Sequence, residues 1–273
     1  MKNLKKTTLS LRLPKSALMY AMMCVAMVLL TAAGCESEVS NSREGTRDYE
    51  RTARTLRVSI DESELTYENL TIHLTNGTDY EYQHVPFGTV TVAIDDLPAS
   101  VAELEHLSLP SGMTDIHQSP YLQPMLIVAA LNVLNTDKNE AKRMLDYIVK
   151  EAKSENRDGA LVHFPGQGAS TAYATDWSQT NQYKNFEKVR SYLEGAKYAN
   201  NYTPETKPYV MKMEINDNSY TADKDCFLLW LTSTQASSKR QIGIWEYDSD
   251  GDGQYDTFWS STYLALLHGL AEY

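Results

Sequence analysis

Cysteine is scarce in this chain, which has three among 273 residues, two of them within the first 35 positions. The rest of the chain contains only Cys226, so an intrachain disulfide is excluded there and the fold must be stable through packing alone. Cys226 lies in the apolar run Cys-Phe-Leu-Leu-Trp-Leu. A lone cysteine in such a run is more often a small core side chain than a nucleophile, and we interpret it as one.

The chain also has none of the short motifs by which catalytic sites are recognised. Its six histidines show no His-x-x-x-His or His-Glu-x-x-His spacing, and no Gly-x-Ser-x-Gly turn or P-loop lysine occurs. The pentapeptide at 164–168, Phe-Pro-Gly-Gln-Gly, is found in malonyl-loading acyltransferases, but those enzymes need the nucleophile turn that is missing here. We therefore lean against an enzyme, although catalytic groups that converge only in three dimensions leave no such motif.

Basic residues are concentrated at the N-terminus, where five occur within the first 15 positions and no acidic residue occurs in the first 34. Residues 17–33 carry no charge and end in small side chains before Cys35. This order is typical of a bacterial export signal, and Leu-Thr-Ala-Ala-Gly-Cys at 30–35 resembles a lipobox with its leucine displaced. We predict a signal peptide over 1–34 and a lipid on Cys35, which would hold the protein on the extracytoplasmic face of the bacterial cell envelope. The alternative is an ordinary cysteine beside a secretory cleavage site.

Acidic residues outnumber basic ones by 36 to 25. Removal of the predicted signal peptide takes away five basic residues and no acidic one, which leaves 20 basic against 36 acidic residues and a formal net charge of −16. Such a charge repels nucleic acid, and the longest basic run, Lys239-Arg240, is only a pair. Nucleic-acid binding is therefore disfavoured.

Polar residues without apolar periodicity occupy positions 35–54, which predicts a flexible tether between the lipid and a single domain at 55–273. The domain begins with strand patterns. Alternating or branched residues at 56–60, 70–74 and 89–94 predict antiparallel strands, with Asn76-Gly77 as a turn.

Helical spacing of apolar residues then predicts an antiparallel helical pair. The first helix should begin at Ser119-Pro120, and the second should begin with Asp137 and Glu140 as a capping box. A further helix is predicted around 183–193. Residues 154–180 lie before it and show little periodicity, which predicts a long loop.

The last third of the chain returns to strand patterns. Residues 209–215 alternate, 226–231 form an apolar run, and an acidic turn joins two further strands. An apolar segment at 263–270 predicts one or two closing helical turns. The order predicts an α+β fold with small N-terminal antiparallel strands, a helical hairpin plus one further helix, and a C-terminal antiparallel sheet.

From residue 89 onward the chain resembles an uncharacterised bacterial family. The resemblance lies in Leu-Pro-Ala-Ser-Val-Ala-Glu-Leu at 97–104 and in the helical pair. It is most specific in Ser-Tyr-Leu-Glu-Gly-Ala at 191–196, followed by Asn-Asn-Tyr-Thr-Pro at 200–204 and by Pro208-Tyr209. The resemblance implies one compact α+β domain and no particular activity.

Aspartates are crowded in the acidic turn at 248–256, Asp-Ser-Asp-Gly-Asp-Gly-Gln-Tyr-Asp. Aspartates at alternate positions followed by glycine let several hard oxygen ligands point inward, as Ca²⁺ requires. An EF-hand is excluded because its twelfth position is Trp259 rather than glutamate. A shorter Ca²⁺ loop remains open against a solvated turn. Its ligands would be the side chains of Asp248, Asp250, Asp252 and Asp256 and the carbonyl oxygen of Gln254.

Aromatic side chains are frequent in and after the predicted loop. Together with one histidine they form a candidate binding surface for a protein, peptide or carbohydrate: His163, Tyr173, Trp177, Tyr183, Tyr198 and Tyr202. The alternative is that these rings pack the loop onto the domain. We hypothesise a membrane-anchored binding module with a structural Ca²⁺ loop. The alternatives are a cell-envelope hydrolase whose groups converge only in space and a structural envelope component.

Overall fold

In the computed structural model of the protein, strands lie at the two ends of the domain. The structure describes residues 53–73, 77, 79–157, 160–168, 186–220, 226–236, 238–249, 255–260 and 266. For 150–157, 160–168 and 186–187 it describes the backbone alone. All of these residues belong to one compact unit, Arg51–Tyr273. The predicted signal peptide, Cys35 and nearly all of the predicted tether lie outside the described residues, so these predictions stay predictions.

The described strands are β1 (Val58–His73), β2 (Asp79–Ile94), β3 (Lys150–Arg157), β4 (Ala160–Gly168), β5 (Tyr209–Ile215), β6 (Cys226–Leu231), β7 (Arg240–Tyr247) and β8 (Thr257–Ser260). Six of them form one antiparallel sheet in the order β1-β2-β5-β6-β7-β8. The other two, β3 and β4, pair with each other as a separate hairpin. The predicted hairpin on either side of the acidic turn is confirmed by the pairing of β7 with β8.

The α-helices of the described chain lie between the N-terminal and C-terminal strands. They are α1 (Val101–Glu105), α2 (Leu122–Val133) and α3 (Lys138–Ile148). Short 3₁₀ turns occur at Ile116–Gln118, Phe186–Tyr192, Tyr198–Asn200 and Asp217–Ser219. Helices segregated from an antiparallel sheet confirm the predicted α+β class.

The N-terminal and C-terminal strands belong to the same sheet because β2 pairs with β5. Val90 lies opposite Met213 and Val92 opposite Met211, and all four side chains are fully buried. This pairing places the centre of the sheet in the core and brings the first hairpin beside the last strands. No local sequence pattern predicts it, since the paired residues are far apart in the chain.

The β1–β2 hairpin is longer than the sequence patterns predicted. Register shifts between Asp61 and Glu64 and between Glu68 and Leu70 interrupt its alternation, and most of β1 is exposed. At Gly88, φ is 127° and an added Cβ would lie 2.3 Å from the carbonyl oxygen of Glu64. The close approach of the two strands at the first register shift therefore requires glycine.

The helical pair forms as predicted, with one difference at each start. α2 is buried on nearly all sides and begins at Leu122, whereas the Ser119 hydroxyl accepts a hydrogen bond from the Tyr121 N–H instead of capping the helix. α3 is capped by Asp137. The carboxylate of Glu140 does not complete the predicted capping box, because it accepts the N–H of Val101 at 2.7 Å and so ties α3 to α1.

Two other predictions were wrong in part. The stretch expected to be a loop at 154–180 contains most of the β3–β4 hairpin, whose polar residues gave no strand periodicity. The helix predicted at 183–193 is a 3₁₀ helix at Phe186–Tyr192. Of the predicted closing turns at 263–270, the structure describes only Leu266, which is fully buried. No helix within the described ranges is long and apolar enough to cross a membrane.

A single buried amide joins the central helix to the edge of the sheet. Gln123 of α2 is fully buried, and its side-chain NH₂ donates to the carbonyl oxygen of Phe258 while its side-chain oxygen accepts the N–H of Ser260. The carboxamide thus pairs with β8 as the peptide group of another strand would. It satisfies two backbone groups of an edge strand inside the core.

Replacement of Gln123 by leucine should destabilise the protein strongly. The variant leaves the carbonyl of Phe258 and the N–H of Ser260 without these partners, which should lower the free energy of unfolding by about 2–4 kcal/mol. Urea denaturation of Gln123→Leu checks this. The matched control is Asn132→Leu on the same helix, which is half-buried and should change stability by less than about 1 kcal/mol. Equal losses in the two variants would contradict this role of Gln123.

Candidate functional site

A cavity of about 870 Å³ lies between the β1–β2 hairpin, the segment at 110–121 and the strands β6, β7 and β8. Seven aromatic rings line this space, which we call the aromatic cavity: Tyr67, Tyr82, Tyr121, Tyr220, Phe227, Tyr255 and Phe258. Its volume is within the range of cavities that bind small molecules. The structure thus brings together rings from four distant parts of the chain.

Ring contacts and hydrogen bonds fix the wall of the aromatic cavity. The rings of Tyr82 and Tyr220 are 5.3 Å apart, and the Tyr220 hydroxyl donates to the carbonyl oxygen of Pro86 at 2.5 Å. Tyr67 stacks on His84 at 4.6 Å. His84 has a positive φ of 54°, and its N–H donates to the side-chain oxygen of Asn69 at 2.9 Å. The hairpin irregularity thus turns His84 toward the cavity in a defined conformation.

The aromatic cavity is acidic. The carboxylates of Glu62 on β1 and Glu246 on β7 line it, and no lysine or arginine is among its described lining residues. Burial raises the pKa of Glu62. Burial, together with the negative charges of Glu62 and Glu246, raises the pKa of Tyr121 far above its usual range. Both carboxylates therefore act on the same phenol, which remains a neutral donor.

The thiol of Cys226 belongs to the lining of the aromatic cavity. The side chain is half-buried at the start of β6, and its Sγ lies 3.9 Å from the carbonyl oxygen of Phe227. The expectation that Cys226 is a core residue is therefore only partly met. Because the thiol lies at the cavity wall, its rate of alkylation should report whether a ligand fills this space.

A second cavity, of about 790 Å³, lies beside α3 and the β7–β8 hairpin and contains a buried histidine. In His117, Nδ1 lies 2.8 Å from Oδ1 of Asp115 and Nε2 lies 3.3 Å from the carbonyl oxygen of Ile148. The ring also stacks on Trp259 at 3.5 Å. A general base needs a nitrogen within reach of the substrate proton. Here both nitrogens face protein oxygens. The contacts of His117 therefore hold the 3₁₀ turn at Ile116–Gln118 against the end of α3 and against β8.

The acidic turn borders this second cavity. The carboxylate of Asp256 accepts hydrogen bonds from the N–H and hydroxyl of Ser249, at 3.0 and 2.5 Å, and these bonds lower the pKa of Asp256. Asp248 is half-buried at the end of β7. Asp250, Asp252 and Gln254 lie outside the described residues. Within the described ranges no group of three or more His, Cys, Asp or Glu residues could hold a metal ion, and the Ca²⁺ loop stays a prediction.

The predicted binding surface is described only in part. Tyr198 is 76% exposed, whereas Tyr202 is 4% exposed and packs in the core, with the two rings 6.3 Å apart. The side chain of His163 and the residues Tyr173, Trp177 and Tyr183 lie outside the described part of the chain. The surface therefore stays a prediction, and its two described members, Tyr198 and Tyr202, are not among the described lining residues of the aromatic cavity.

The residues that carry the family resemblance build a fixed turn. The side chain of Asn200 accepts the N–H of Lys197 and donates to the carbonyl oxygen of Gly195, both at 2.9 Å. Arg190 donates to the carbonyl oxygen of Asn201 at 2.8 Å. The described residues that build this turn line neither cavity, whereas Val101, in the other stretch of the resemblance, lines the second cavity.

Comparison with known families agrees with the resemblance to an uncharacterised family. A family model described as a domain of unknown function (DUF6935) matches residues 96–267. The match covers more than half of the 273 residues, so the chain belongs to this family. No curated protein and no solved structure matches the chain. The matched range begins after the β1–β2 hairpin, which supplies one wall of the aromatic cavity.

Proposed function

We propose that this member of the DUF6935 family is a lipid-anchored binding module of the bacterial cell envelope, exposed on the extracytoplasmic face, with the aromatic cavity as its ligand site. The observation that carries the proposal is the cavity itself, where seven rings surround a space that can hold a small molecule or a side chain. Rings with a polar edge combine apolar contact with hydrogen bonds, as ligand sites require. The N-terminal sequence supports the anchor.

Binding is favoured over hydrolysis by the geometry around His117. Each of its ring nitrogens faces a protein oxygen, and the side chain is buried. A hydrolase that used this histidine would have to break the contact with Ile148 and move the ring from its stack on Trp259. A purely structural envelope component has no need of an aromatic cavity with acidic groups, so this alternative is also less favoured.

An ion-pair network holds the end of the predicted tether against the domain. Arg54, at the end of the predicted tether, donates to both carboxylate oxygens of Glu103 at 2.6 and 2.9 Å and to Asp96 at 3.0 Å. Lys207 contacts the same oxygen of Asp96 at 2.6 Å. Such bidentate pairing fixes the chain where it enters the domain. The residues between Cys35 and Arg54 could span up to about 65 Å when extended.

Alkylation of Cys226 should block ligand binding. The mature protein, purified in detergent from membranes, is tested by ligand-observed NMR against neutral sugars, alkylamines and small carboxylates. We expect at least one class to bind, and N-ethylmaleimide should abolish that binding because the adduct occupies the aromatic cavity.

The control is Cys226→Ser treated with the same reagent, which should keep its binding. Absence of binding by every class would contradict the proposed function. Equal binding by alkylated and untreated wild-type protein would place the ligand elsewhere and would also contradict it.

The proposal includes a structural Ca²⁺ ion in the acidic turn, which would hold the β7–β8 hairpin closed. Calcium in the millimolar range should raise the melting temperature by about 5 °C relative to chelator, because a ligand that binds only the folded state stabilises it. The double variant Asp250→Asn/Asp252→Asn should lose this shift. Asp217→Asn, in another exposed turn, should keep it. An equal melting temperature with calcium and with chelator would remove the Ca²⁺ site.

A further inference from the structure

The charge of the aromatic cavity indicates which ligands it can accept. The described residues of its lining include two carboxylates, Glu62 and Glu246, and His84 is the one basic side chain among these described residues. The two glutamates come from strands that are separated by three others in the sheet, so the cavity collects acidic groups from its two sides. Any ligand that fills this space removes water from both carboxylates.

Removing water from a carboxylate is costly unless a positive charge or hydrogen-bond donors replace it. Burial by the protein already raises the pKa of Glu62. Burial and the charge of Glu246 also raise the pKa of Tyr220, far above its usual range. The charges of Glu62 and Glu246 both raise the pKa of Tyr121. A cation in this space would offset the negative charge of Glu62 when the ligand displaces its water.

The aromatic rings favour the same kind of ligand. The faces of tyrosine and phenylalanine rings attract cations, and organic ammonium groups are recognised by several rings arranged around them. The cavity supplies seven such rings, among which Tyr82 and Tyr220 are 5.3 Å apart and tilted by 52°. Ring faces inclined to each other present more than one face to a single ligand.

From this combination we infer that the aromatic cavity binds an alkylammonium group, held by the ring faces and by the carboxylates of Glu62 and Glu246. The inference rests on the proposed function and names the ligand class for that site. Anionic ligands are disfavoured because like charges in a partly buried site repel. Neutral sugars could form hydrogen bonds with the glutamates but would bring no positive charge to the cavity.

Choline and 3,3-dimethylbutan-1-ol provide the sharpest probes because they have nearly the same shape and differ in charge. Titration calorimetry of the detergent-purified protein should give a dissociation constant for choline at least about tenfold lower than that for the neutral alcohol. A capped lysine derivative, tested beside choline, assigns the source of the ammonium group to a peptide side chain or to a small molecule. Tighter binding of either cation than of the neutral alcohol supports the inference.

Charge-neutral variants test the role of the two carboxylates. Glu62→Gln and Glu246→Gln should each weaken choline binding by about tenfold. Glu64→Gln removes the same charge from the same strand as Glu62, but Glu64 is not among the described residues that line the cavity. This control should stay within about twofold of wild type. Choline should also slow the alkylation of Cys226 in the wild-type protein, a measurement that needs no variant.

Equal affinity for choline and the neutral alcohol would overturn the inference. A loss of choline affinity in Glu64→Gln as large as that in Glu62→Gln would overturn it too. If neutral sugars bind, and alkylation of Cys226 blocks them while choline and the lysine derivative fail to bind, the inference fails and the proposed function stands. If no class of ligand binds, both fail. The same set of titrations therefore distinguishes failure of the ammonium inference from failure of the proposed function.

Discussion

The side chain of Gln123 is the constraint on which both cavities depend. It lies in a helix that is buried on nearly all sides, and a polar group in such a place is stable only if its hydrogen bonds are satisfied. Its partners are the backbone groups of Phe258 and Ser260, which border Trp259 on the edge strand β8. Phe258 lines the aromatic cavity, and Trp259 carries the ring of His117 in the other. One amide thus sets the position of a strand that contributes to two sites.

Some residues that line the aromatic cavity lie inside the range matched by the family model, and others lie before it. The β1–β2 hairpin lies before the range matched by the family model, whereas Tyr121, Tyr220 and Glu246 lie inside it. The hairpin reaches the cavity only because β2 pairs with β5 and because Gly88 allows the close approach to β1. The N-terminal hairpin therefore supplies a separate wall, including Glu62. This division offers a physical basis for changing the ligand without changing the rest of the domain.

Sequence patterns predicted the elements with strong local signals and missed contacts between distant ones. α2 and α3 could be predicted because the spacing of their apolar residues and the Asp137 cap lie within a short stretch of sequence. The full length of β1 was hidden because most of its residues are exposed and two register shifts interrupt the alternation. The role of Gln123 could not be predicted, since its partners lie 135 and 137 residues away. The aromatic cavity was missed for the same reason, whereas the rings noted from the sequence were simply close together in the chain.

In the binding mode that we propose, an ammonium ligand lies among the tyrosine rings of the aromatic cavity. Nuclear Overhauser contacts between the methyl protons of choline and ring-labelled tyrosines test it most directly, with Tyr121→Phe and Tyr220→Phe variants to assign the signals. We expect contacts to Tyr121 and Tyr220, which line the cavity together with the two glutamates. Contacts to the exposed ring of Tyr198 instead, or to no tyrosine at all, would contradict it.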